Sequence, residues 1–148
     1  MKRTIAIHQN SPEPYRAALI EAFKWVAEEG GTLILATKRT LEDLKRFWKD
    51  ASRKGKVDVA EITAKSKGKT VGIEIAHGQQ FYSFCGPRTA TFNCSDTDMK
   101  RIEAFFESNW YDNDVVELRA FTMAIDTHKK WTEKYQPEMV DSSLSPSK

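Results

Sequence analysis

The chain has 148 residues, a net charge of +2, an 11% aromatic share that includes four Trp, and two cysteines. A single domain of this length buries roughly 70% of the surface its unfolded chain exposes, so a core is expected without disulfides or a structural metal. No apolar run approaches the ~20 residues of a membrane span, and the run after Met1-Lys2-Arg3 is too short for a signal peptide, so the expectation is a cytoplasmic protein with no membrane partner.

The charge is uneven: residues 1–70 carry +6 and residues 71–148 carry −4. A dipolar chain of this kind suits an anion on its basic side or a second copy of itself head to tail. A solvated surface explains the pattern equally well.

Residues 4–8 read as a short apolar strand. Ser11 is placed to cap a following helix, with Pro12 at its first position. Tyr15, Ala18, Leu19, Ala22, Phe23 and Val26 have the spacing of one buried helix face, and Gly30-Gly31 stops that helix. Residues 32–36 form a second apolar strand. Strand, crossover helix and strand predict a right-handed unit with the two strands parallel.

A second helix is expected after Thr37-Lys38-Arg39-Thr40, with Thr40 and Asp43 as a capping box. Leu41, Leu44, Phe47, Trp48 and Ala51 line its apolar face, and Gly55 closes it after Arg53 and Lys54. Beyond it the periodicity changes. Residues 57–63, 70–76, 80–85 and 88–94 read as strands linked by three turns with no helix between them, which predicts an antiparallel β-meander. Val71, Ile73 and Ile75 alternate with Gly72 and Glu74, the pattern of a strand with one solvated face.

Ser95 then caps a helix that carries Asp96 and Asp98 in its first turn and an apolar stripe of Met99, Ile102, Phe105 and Phe106. Residues 109–114 break the pattern. Residues 115–135 are expected to be a long final helix, with residues 115–118 as an alternative strand. Residues 136–148, rich in Ser and Pro, are expected to be a disordered tail behind a single domain spanning 1–135. The fold class is therefore mixed α/β: two parallel strands at the start, an antiparallel meander, and two C-terminal helices, in one mixed sheet sandwiched by helices.

Parallel strands of an open sheet bind ligands beyond their carboxyl ends. Two polar loops fall there. His8, Asn10 and Ser11 follow the first strand, and Lys38, Arg39 and Thr40 follow the second. Each loop runs into a helix N-terminus, where free N–H groups and the helix dipole favour an anion. Lys38 adds charge and Arg39 a bidentate grip on phosphate or carboxylate. The expected ligand is an anionic small molecule, a nucleotide or phosphorylated metabolite, bound by a sensor or accessory protein. Plain helix caps with solvated Lys38 and Arg39 are the bland counterpart, since no glycine-rich phosphate loop is present.

Two alternatives come from other classes. Lys45, Arg46, Lys49, Arg53, Lys54 and Lys56, with Lys65, Lys67 and Lys69, form a basic helix and hairpin that could hold a nucleic-acid backbone, although Glu42, Asp43 and Asp50 interrupt it. Trp110, Tyr111, Trp131 and Tyr135 could serve a protein-interaction surface, including a homo-oligomer. No cofactor or metal is expected, because the three His and two Cys show no ligand spacing. Cys85 and Cys94 are read as two separate thiols too far apart for a disulfide, and His128 as a core or boundary histidine.

Overall fold

The computed structural model describes residues 1–8, 12–52, 71–77, 86–108 and 115–140, with side chains omitted at residues 48–52 and 125. The described elements are β1 (Lys2–Ile7), α1 (Pro14–Glu29), β2 (Gly31–Leu35), α2 (Lys38–Ser52), β3 (Val71–Ile75), β4 (Arg88–Phe92), α3 (Asp96–Ser108), β5 (Glu117–Thr122), a 3-10 turn (Ile125–His128), α4 (Lys129–Tyr135) and β6 (Glu138–Val140). They form a six-stranded sheet in the order β3-β2-β4-β5-β1-β6. Every strand pair in it is parallel.

The expected antiparallel meander is therefore corrected. Twelve residues separate β3 from β4, about the minimum for a parallel crossover, and the two strands flank β2 on opposite sides instead of pairing with each other. Alternation of apolar and polar residues reports one exposed face and carries no information about direction. β3 shows this well: it is an edge strand, mostly half-buried, and parallel all the same. The first two strands are parallel as expected but not neighbours, since β4 and β5 lie between them.

Each helix begins and ends for a local reason. Pro14 occupies the first turn of α1, and Gly30 (φ 88°) ends it by donating its N–H to the Val26 carbonyl at 2.7 Å, a position glycine takes without steric cost. The helix thus starts two residues later than the Ser11-Pro12 cap predicts. α3 begins as expected, with the Ser95 hydroxyl accepting the Asp98 N–H at 3.2 Å and Asp96 and Asp98 in the first turn.

The long final helix is corrected as well. Residues 117–122 form β5, deep in the sheet between β4 and β1. Only seven residues remain for α4. Its start is held from another helix: the Asp96 carboxylate accepts the Lys130 and Trp131 backbone N–H groups at 3.1 and 3.0 Å. Glu138–Val140, placed by sequence in the tail, pair with β1 as β6.

Helices cover both faces of the sheet. α1 and α2 close one face around Leu19, Phe23, Leu33, Leu35, Phe92 and Phe121. α3 and α4 close the other around Ile5, Ile34, Met99, Ile102, Leu118 and Trp131. Trp131 is thus a core residue, 4% exposed, and not part of an interaction surface.

His128 is fully buried beside Trp131, its ring centroid 5.2 Å away. Its Nδ1 lies 3.4 Å from the Thr132 hydroxyl, and its Nε2 has no hydrogen-bond partner among the described residues. Burial holds the imidazole below its usual 6.5, although its own backbone and the Asp96 charge act the other way. Above pH 6.5 the folded and unfolded states are both neutral at this site. Below it, the unfolded chain takes up a proton that the folded state refuses, so stability falls towards acid until the lowered pKa is reached. The slope approaches about 1.4 kcal/mol per pH unit. Denaturant melts at pH 7, 6 and 5 should show this decline, and His128→Gln should flatten it. Identical slopes in the two proteins would show that the buried imidazole has no such effect.

Candidate functional site

The order of the strands creates two topological switch points. β1, β2 and β3 step towards one edge of the sheet, with α1 and α2 on one face. β4, β5 and β6 step back towards the other edge, with α3 and α4 on the opposite face. Two neighbouring pairs, β2 with β4 and β5 with β1, therefore send the chain to opposite faces at their carboxyl ends. Such switch points are where open parallel sheets leave room for a ligand.

At the first switch point α2 starts with Lys38, two residues before the expected cap. Thr37 is the capping residue. Its hydroxyl lies 3.4 Å from the Thr40 N–H and 3.2 Å from the Thr40 hydroxyl. Thr40 is itself buried, at 7% exposure, inside the first turn. This corrects the Thr40–Asp43 capping box: the Asp43 carboxylate instead accepts the Tyr15 hydroxyl at 2.6 Å and Arg46 Nη2 at 2.9 Å. The N–H groups of Lys38 and Arg39 belong to the first turn, where a helix has no acceptor of its own.

Tyr15 ties this corner together. Its ring meets Phe92 at the end of β4 (5.4 Å between centroids) and Phe47 of α2 (5.9 Å). Burial, then the hydrogen bond to Asp43, pushes its phenol up to about 12, while Thr40 and the charge of Arg39 act in the other direction. The phenol is therefore a neutral donor at ordinary pH. Since Asp43 is occupied by Tyr15 and Arg46, it does not neutralise Lys38 or Arg39. Both are exposed, and neither is ion-paired among the described residues. Just past β4, Asn93 has a left-handed backbone (φ 53°), a conformation uncommon outside glycine, and turns the chain from β4 towards Ser95 and α3.

At the second switch point His8 follows β1. Its N–H donates to the Thr122 carbonyl at 2.9 Å, and its Nε2 is bonded to the Glu21 carboxylate of α1. The side chain is 1% exposed and that of Glu21 13%. His8 is therefore a buried residue joining β1 to α1.

The six residues picked out by sequence are thus divided. Lys38, Arg39 and Thr40 sit together, with Thr40 turned inward. His8 lies on the same edge but three strand spacings away, roughly 14 Å at ordinary sheet geometry. Asn10 and Ser11 lie outside the described residues, as do Lys54, Lys56, Lys65, Lys67 and Lys69 of the basic patch, and Cys85, Trp110 and Tyr111. Cys94 is a free buried thiol, and burial raises its pKa. Among the described residues no group of His, Cys, Asp and Glu is placed to hold a metal ion, and no helix is long and apolar enough to cross a membrane.

Sequence reasoning missed Thr37, Tyr15, Asp43 and Glu21. Thr37 carried a signal, being the first capping-type residue after the apolar run. The Tyr15–Asp43 and His8–Glu21 contacts join residues 28 and 13 positions apart and carried none. Comparison with protein-family models, with curated proteins and with solved structures finds no match for this chain.

Proposed function

We propose that the protein is a small-molecule-binding α/β domain, sensor or accessory in role, whose ligand carries a phosphate or similar anionic group. The anion sits at the carboxyl end of β2, on the first turn of α2, with Lys38 and Arg39 as its counter-charges. One observation carries the reading: two cations with no ion-pair partner among the described residues meet a helix start where the chain leaves β2 and β4 for opposite faces of the sheet. First-turn N–H groups and the dipole favour negative charge there, and Arg39 offers a planar fork to two oxygens at once. Tyr15 and Asp43 hold the corner of α2 in place. A nucleotide or phosphorylated metabolite has the required chemistry, and one extended across β4 and β5 would also reach the His8–Glu21 pair.

A thermal-shift screen of nucleotides and phosphorylated metabolites tests this. A true ligand at one hundred times its Kd should add about 2.7 kcal/mol of stability, roughly 8 °C for a chain of this size. Lys38→Ala/Arg39→Ala should weaken that ligand about tenfold or more while leaving the unliganded Tm nearly unchanged, because both side chains are exposed. Flat responses across the screen, or equal shifts in the double variant, would sink the proposal.

A further inference from the structure

A cavity of about 480 Å³ lies between α3 and α4 on the face of the sheet opposite α2, a volume in the usual range for small-molecule sites. Three ammonium groups line it. Lys130 and Lys134 stand one turn apart on α4, an unfavourable like-charged spacing, and Lys100 stands on α3. None of the three has an ion-pair partner among the described residues.

Three acidic side chains, Asp96, Glu103 and Glu107, line the same cavity, and the first two have hydrogen-bond donors of their own. Both oxygens of Asp96 accept backbone N–H groups of α4. Glu103 is taken by Arg3 Nε and Nη2 at 2.7 and 2.6 Å and by the Trp131 indole N–H at 2.8 Å. Glu107, exposed on the rim, is the remaining carboxylate of the lining. The lysines are thus gathered across a cleft whose two inner carboxylates already have their donors.

The aromatic wall limits what the cleft can recognise. Trp131 is buried, and the Tyr135 ring carries Arg3 at 4.3 Å and Lys134 at 5.3 Å from its centroid. Little ring face is left for a base to stack on. We infer that this cleft is a second binding site, separate from the one at β2, for a compact, multiply phosphorylated small molecule held by charge and not by stacking. Ammonium groups suit such a ligand because each acts as a point charge with three freely oriented donors.

Titration calorimetry with sodium tripolyphosphate as the probe decides the matter, with the Trp131 indole N–H resonance as a local readout. The wild-type protein should bind at 50 mM salt, bind more weakly at 200 mM as screening increases, and shift the indole resonance. Lys100→Ala/Lys134→Ala should weaken binding about tenfold, at a few-fold for each exposed contact. Lys38→Ala/Arg39→Ala should leave this site's affinity and the indole shift intact even if the proposal for β2 fails. A folded Lys100/Lys134 variant with wild-type affinity would overturn the inference. So would a wild-type protein that does not bind, or binding lost only with Lys38 and Arg39. Lys130→Gln, a single exposed change, gives a second reading if the double variant folds poorly.

Discussion

Gly31→Ala is expected to prevent the chain from reaching its folded state. Gly31 has φ +155°, and a Cβ built there would lie 1.7 Å from the Arg88 carbonyl oxygen and 2.7 Å from its carbon. The obstacle is the backbone of the neighbouring strand, paired with Gly31 in register, and it cannot swing aside as a side chain would. The contact is reciprocal. A Cβ on Gly86 (φ +74°) would lie 2.7 Å from the Gly30 carbon and the Gly31 nitrogen. The starts of β2 and β4 thus interlock through residues without side chains, and Arg88 closes the joint with its N–H on the Gly30 carbonyl at 3.3 Å. Separating β2 from β4 should cost more than about 4 kcal/mol, a large part of the 5–15 kcal/mol typical of a whole domain. Circular dichroism and denaturant melts of the purified variant are the measurements. A cooperative, folded Gly31→Ala protein with a midpoint near wild type would refute the steric account.

The second large effect is expected at Glu103. Its side chain is 6% exposed and binds three donors from two distant elements, Arg3 of β1 and Trp131 of α4. The same guanidinium lies over the Tyr135 ring at 4.3 Å. Its hydrogen bond to Glu103, against the cost of burial, keeps Arg3 charged at a pKa above its ordinary value. Truncation to Ala leaves a cation and an indole N–H largely out of water without an acceptor. Breaking such a pair costs 3–5 kcal/mol when fully buried. Because the Arg3 side chain is 26% exposed, water recovers part of the loss, and about 3 kcal/mol is expected. Glu103→Gln keeps one acceptor oxygen and should cost roughly half as much. Urea melts followed by Trp fluorescence should show a lower midpoint at an unchanged slope. A loss under 1 kcal/mol for the Ala variant would mean that the three donors find water or other partners.

The local signals were legible and the directional ones were not. The stripe from Tyr15 to Val26 faces the core, apart from a half-buried Tyr15, and Gly30 ends α1 where glycine was expected to. Ser95 with Asp96 and Asp98 starts α3. In β4 Ala90 and Phe92 alternate with Thr89 and Thr91. All four are fully buried, because threonine is small enough to pack beneath a helix despite its hydroxyl. That concealed a central strand with both faces covered, and the parallel sheet with it. Residues 117–122 read as part of a long helix, with 115–118 as an alternative strand, and form β5. The structure bonds the Glu117 carboxylate to the Thr4 hydroxyl at 2.7 Å and to Arg119 at 2.8 Å. Burial works against the ionised carboxylate, but these bonds outweigh it and hold its pKa below the usual range.

By itself the sequence located α1, α2, α3 and the strands β1 to β4 to within a few residues, because periodicity, caps and glycines act over a few residues, but it took β5 for helix and β6 for tail. It also placed the two polar loops at one edge, since a strand, helix, strand order leaves little choice but a parallel pair. Tertiary structure alone decided the strand order, and with it the switch between β2 and β4 that turns a polar loop into a candidate site. It alone brought Tyr15 to Asp43, 28 positions away, and Arg3 to Glu103, 100 positions away. Such pairings follow from which faces are buried together, and that is a property of the assembled sheet, to which no local stretch of chain has access.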